Sequence, residues 1–153
     1  MADTFITSQA LLSHWQGHRS LTRRVIQAFP EEHLFRYSVA NMRPFGALAM
    51  EMVSMAVHMV QGIVTGTYDN ASRDVTSRDE LLRQWDAATE ELNQLWPQIP
   101  ASKFAERITA FGTYTDAAHN LILYVIDNEI HHRGQGFVYL RSLGINPPPF
   151  YER

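Results

Sequence analysis

The chain has 153 residues, 45% of them hydrophobic and 19% charged, which suits one folded domain with a real core and excludes a disordered chain. Net charge is −3, lysine is nearly absent and no basic block exists, so non-specific nucleic-acid binding is not expected. There is no cysteine, which removes disulfides, thiolate nucleophiles and thiolate metal sites and fits a cytoplasmic protein; residues 1–7 lack the pattern of a signal peptide, and no run of about 18 apolar residues predicts a membrane span.

Four helices are predicted. The first runs from about Thr4 to Phe29, with Leu11, Leu12, Trp15, Leu21, Val25, Ile26 and Phe29 near helical spacing. Pro30 ends it or restarts it as a short turn through Glu31 and Glu32. The second starts at Pro44, continues through Met52, Met55, Met59 and Ile63, and ends near Gly66. A polar loop follows. Ser77 with Glu80 three residues on reads as a capping box opening the third helix, and Pro97 and Pro100 stop it. Residues 101–114 show no helical pattern, and Arg107 to Phe111 reads as a short extended piece. The fourth helix starts after Thr113 or Thr115 and ends at Gly144, a good C-terminal cap. The tail from Asn146 to Tyr151 holds three prolines; it is expected to be polyproline-like and packed through its aromatics. Four helices, two long connections and no series of strands predict an all-α four-helix bundle in a single domain, residues 1–153.

Bundles place ligands between facing helices, so the inward polar residues matter most. In the fourth helix Ala118, Leu121, Ile122, Val125, Tyr139, Leu140 and Leu143 define the inner sector at about 100° per residue. Glu129, His132 and Gly136 fall inside it and Asn128 at its edge, while Asp127, Ile130 and His131 point outward. An inward Glu-x-x-His puts two metal-ligand types on one face, as in carboxylate-bridged bundles. Alternatively, Glu129 bonds a buried Arg or Trp, and His132 a backbone carbonyl. Arg133, on the flank, suits a pair with an acid on a neighbouring helix. Gly134 and Gly136 cost about 1 kcal/mol each in a helix, which makes sense if another backbone approaches, from the second helix or a second subunit.

On the second helix Glu51 and His58 share a face beside the methionine stripe. They are candidate ligands for a borderline metal such as Zn²⁺ or Ni²⁺; otherwise Glu51 pairs with Arg43 or Arg133 and His58 is half exposed. Met50, Met52, Met55 and Met59 read as core filler or as the lining of an adaptable pocket. His14 and His18, four apart on the first helix, are a weaker candidate pair. No nucleophile–base triad, phosphate loop or HExxH motif is present.

His131-His132-Arg133-Gly134-Gln135, followed by Tyr139-Leu140-Arg141-x-Leu143-Gly144, resembles the last helix of the DinB-like (DinB/YfiT-type) four-helix-bundle family. Arg43-Pro44-Phe45-Gly46-x-Leu48 is similar to that family's start of the second helix. The resemblance implies a dimeric bundle. It also implies a divalent-metal site built from one His of the second helix and an H-x-x-x-H of the last. Family members include thiol-dependent transferases and isomerases, and some are induced by DNA damage. Carried over, the ligand positions fall on Glu51, Asn128 and His132. Glu129 and His58 are further candidates to complete the set. One His with carboxylates is a harder set, suited to Mn²⁺, Fe²⁺ or Zn²⁺. The expectation is a metal-dependent enzyme with a variant ligand set, acting on a small molecule or a thiol. The alternatives are a metal-free, small-molecule-binding or stress-response bundle, or a purely structural dimer.

Overall fold

The structure is a computed structural model that describes residues 4–153; residues 1–3, part of the N-terminal segment read above, lie outside the described residues. Four long helices account for most of it: α1 (Ser8–Ala28), α3 (Phe45–Thr65), α4 (Arg78–Leu95) and α5 (Ala118–Ser142), with a one-turn α2 (Glu31–Leu34) after Pro30. α1 begins four residues later than the periodicity alone suggests, because Thr7 Oγ1 accepts the Ala10 N–H at 3.1 Å and caps it. Ser77 caps α4 through Glu80 N–H at 3.3 Å. The reciprocal half of a capping box is absent, since the Glu80 carboxylate instead takes Arg83 and Gln84.

α3 stops at Gly66, which is left-handed at φ 80°. α5 ends in a Schellman motif: Ile145 N–H bonds Leu140 O and Gly144 N–H bonds Arg141 O, with Gly144 at φ 76°. The start of α5 differs from the sequence expectation. Residues 114–117 form a strand, β2 (Tyr114–Ala117), antiparallel to β1 (Arg107–Ala110), so the helix begins only at Ala118. The extended piece at 107–111 is therefore half of a hairpin. The tail after Ile145 has no helix, but its aromatics do not pack inward: Phe150 and Tyr151 are 71% and 70% exposed. Polar contacts hold it instead, Arg24 to the Glu152 carbonyl and Arg153 to His18.

Helix directions follow from side-chain partners. α1 and α4 are antiparallel, since Trp96 reaches Ser8 and Arg23 reaches Asp86. α1 and α5 run parallel: Leu11 and Leu12 share a core cluster with Ala118 to Ile122, and His18 and Thr22 meet Arg133. α3 is antiparallel to α5, with Phe45 against Gly136 and Met59 to Ile63 beside the start of α5. α3 and α4 are then parallel, because Val75 and Leu81 share a cluster with Phe45, and Leu92 with Val60. Parallel neighbours require a long return. Residues 66–77 provide it, running back along α3, which spans about 30 Å at about 1.5 Å per residue. α3 is long and apolar enough to cross a membrane by length and composition; here it is wedged between α4 and α5, with Leu48, Ala49, Met52 and Val60 buried.

The core has two apolar halves. One holds Trp15, Met59, Leu92, Trp96 and Ile122; the other holds Phe29, Phe45, Met52, Trp85 and Tyr139. Between them, on α1 and α5, lies a buried polar layer of His18, Arg19, Thr22, Glu129, His132 and Arg133.

Candidate functional site

The inner sector read from the α5 periodicity is the one that is buried: Glu129, His132 and Gly136 are inside, while Asp127, Ile130 and His131 face outward. Its polar residues divide between two neighbours. Toward α3, His132 Nε2 stands 3.0 Å from Glu51 Oε1, and Asn128 Nδ2 donates to the same oxygen at 3.3 Å. His132 Nδ1 is 2.6 Å from Gln135 Oε1 one turn on, an oxygen that can only accept, which orients the ring with Nε2 toward Glu51. At 3.0 Å the contact suits an Nε2–H donating to the carboxylate, and the same two atoms are ligand types for a cation. Arg43 Nη1 closes the other side of the carboxylate at 2.5 Å from Oε2. Burial pushes the Glu51 carboxyl up. The hydrogen bonds from Arg43, Asn128 and His132 and the Arg43 charge outweigh it, so the group lies below its ordinary range.

Toward α1, Glu129 takes no part in that cluster. Its Oε2 accepts Trp15 Nε1–H at 3.2 Å and its Oε1 the Thr22 hydroxyl at 2.8 Å, with Arg19 Nη1 3.6 Å away. This is the alternative in which Glu129 bonds a buried Arg or Trp: Trp15 donates to it, and Arg19 stands near without a hydrogen bond from Nη1. Arg19 lies over the Trp85 ring at 4.1 Å and donates to Thr89 Oγ1 and Trp85 O. Arg133 is buried rather than flanking. Among the described residues it pairs with no acid on another helix, donating instead to His18 O, Thr22 Oγ1 and His18 Nδ1. Sequence reasoning missed Arg19, Thr22 and Gln135. A signal existed for the first two: both lie on the α1 stripe that runs from Trp15 through Ile26 to Phe29, the same anomaly that exposes Glu129.

His58 lies two turns from Glu51 on α3, half-buried, with Nδ1 3.2 Å from Ser54 Oγ. It lines a cavity with Glu51 but does not reach the His132 cluster. His14 and His18 do meet, Nε2 to Nε2 at 3.1 Å. Burial first, then the charges of Arg133, His14 and Arg153, lower His18 to about 4, so the ring is neutral at pH 7. Gly136 is explained within the chain: a Cβ there would lie 2.6 Å from the Phe45 ring, so the close neighbour is a side chain and not a second backbone. A Cβ at Gly134 would meet nothing within 4 Å.

As a metal centre the Glu51 cluster offers one imidazole, one carboxylate and one amide. Among the described residues no group of three or more His, Cys, Asp or Glu side chains is placed to hold an ion. The third donor would be Asn128, whose Oδ1 is buried with no hydrogen-bond partner. An orphaned acceptor beside a carboxylate and an imidazole nitrogen fits a cation; the Arg43 guanidinium on the same carboxylate opposes one.

A helical protein with a His–carboxylate–amide cluster between two antiparallel helices is the class that fold and site define. The chain belongs to the DinB family, whose family model matches residues 1–153. It is 20% identical over 151 residues to the uncharacterized protein YjoA of Bacillus subtilis (strain 168), covering 95% of this chain and 97% of that one. The crystal structure of that DinB-like protein superposes with a TM-score of 0.77 at 22% identity, covering 94% of this chain and 97% of the other. A DinB-like protein from Bacillus cereus ATCC 10987 gives 0.72 at 19% identity, with the same coverage. At these identities the likeness to the two structures concerns the fold alone.

Proposed function

We propose that this four-helix bundle holds one divalent cation (Zn²⁺, Ni²⁺, Mn²⁺ or Fe²⁺) between Glu51, His132 and Asn128. It would act as a metal-dependent enzyme of transferase or hydrolase type on a small molecule or an external thiol. The observation that carries this reading is the 3.0 Å approach of His132 Nε2 to Glu51 Oε1, with Gln135 occupying Nδ1. Metal ligation needs an imidazole nitrogen and a carboxylate free of protons, so uptake should weaken as pH falls. When bound, such an ion supplies Lewis acidity or lowers the pKa of bound water or thiol. Gln135 would hold the ring in place, and the unpartnered Asn128 Oδ1 would serve as the third donor. The test is the metal content of untagged protein after soaking with Zn²⁺, Ni²⁺ and Mn²⁺. About one ion per chain is expected, lost in His132→Ala; a content near zero under all three soaks overturns the reading.

The Arg43–Glu51 pair favours a second reading, in which the cluster is a metal-free polar network in a small-molecule-binding protein. Then His132→Ala lowers the melting temperature without changing metal uptake. We also propose a homodimer formed through the outer face of α5, where Leu123, Tyr124, Ile130 and Val138 are exposed around the open Gly134.

A further inference from the structure

A half-open cavity of about 640 Å³ lies between α3, α4 and residues 71–75 of the crossover. That is the size of a small-molecule site. One wall is apolar and adaptable, with Met50, Met55 and Val57 from α3 and Phe35 from the segment after α2. The polar side is rich in acceptors. Ser54 Oγ and His58 Nδ1 satisfy each other at 3.2 Å, which leaves His58 Nε2 without a protein partner among the described residues. Gln84 spends its N–H on Glu80 at 2.8 Å and keeps its carbonyl oxygen free. Glu91 lines the cavity with no ion pair or hydrogen bond among the described residues. Glu91, from α4, lines the same cavity as His58, from α3. Asp74 adds a second carboxylate from the crossover. Arg73, the cavity's cation, lies within electrostatic reach of Glu80.

We propose that this cavity binds a small amphipathic amine. Its ammonium is held by Glu91, beside the ring of His58, and its apolar part lies against Met50, Met55 and Val57. A chain of acceptors beside an apolar wall selects a donor-bearing cation; an anion of the same shape meets Glu91 and Asp74 and is repelled. Glu51 borders both this cavity and the proposed metal cluster, but the amine site does not require the metal.

The experiment titrates octylamine, octanol and octanoate separately into the full chain, freed of metal by a chelator, at pH 7. It follows the Met50 and Met55 methyl resonances. Octylamine is expected to give saturable shifts at both methyls, with octanol weaker and octanoate weakest. Glu91→Gln should weaken octylamine about fivefold, the scale of a partly exposed charge pair. Ala87→Trp, at an exposed position on the cavity wall, should abolish the shifts while the far-UV spectrum stays helical. The proposal is overturned if octanoate binds as well as octylamine. It is equally overturned if Glu91→Gln leaves the amine affinity unchanged, or if no saturable shift occurs. Metal content is read in a separate measurement, so failure of one reading does not mask failure of the other.

Discussion

Glu129 is 1% exposed and brings a carboxyl group into a layer that also buries Arg19 at 1% and Arg133 at 6%. Burying ionisable groups is costly, and only their mutual attraction and hydrogen bonds offset it. Glu129→Gln keeps the shape but removes the buried carboxyl group that faces Arg19 and Arg133, so a loss of about 3–5 kcal/mol in urea unfolding is expected. Asp86→Asn, which breaks the 2.6 Å but half-exposed pair with Arg23, should cost under about 1 kcal/mol in the same assay. His18 sets an acid limit. Its folded pKa of about 4 lies below the ordinary 6.5, so the unfolded chain takes up the proton first. Its contribution is therefore complete above pH 6.5 and is lost as pH falls from 6.5 toward 4. The groups facing it are Arg133, Arg153, His14 and Thr22, none of them an acid able to hold the proton. His18→Asn keeps an acceptor for Arg133 and cannot be protonated. Melting temperatures across that window should fall less steeply in the variant than in the parent.

Helix α5 separates its two glycines by environment. Gly136→Ala drives a Cβ to 2.6 Å from Phe45, whose ring stacks on Phe29 at 4.8 Å and has little room to move. A loss of about 1–3 kcal/mol is expected in chemical denaturation. Gly134→Ala meets open space in a helix and should stabilise the monomeric fold by up to about 1 kcal/mol. The spacing of these residues showed that both glycines lie within the helix, but not that one touches Phe45 and the other nothing. The hairpin was hidden for a related reason. Residues 107–117 carry no strong alternation, and β2 exists because Arg107 to Ala110 offers it a register, Arg107 opposite Ala117.

At the scale of the molecule, parallel α3 and α4 and the crossover between them create the cavity, and the outward face of α5 is left uncovered by the described residues. If that face joins two copies, sedimentation should give a dimer at micromolar concentration, and Ile130→Glu should shift it to monomer without loss of helicity; a parent chain that sediments as a monomer counts against the contact. The four helices, their stops at Pro30, Gly66, Pro97 and Gly144, and the burial of Glu129 and His132 were all determined by the sequence itself, because 3.6-residue periodicity and cap chemistry are local. Which partners those two residues meet was decided only by tertiary structure. They are three apart, so at about 100° per residue their directions differ by only about 60°. α5 lies between α1 and α3, and that angle is enough to send Glu129 to Trp15 and Thr22 and His132 to Glu51. A periodicity shows that both point inward; only the placement of the neighbouring helices separates a buried ionic layer from a candidate metal centre.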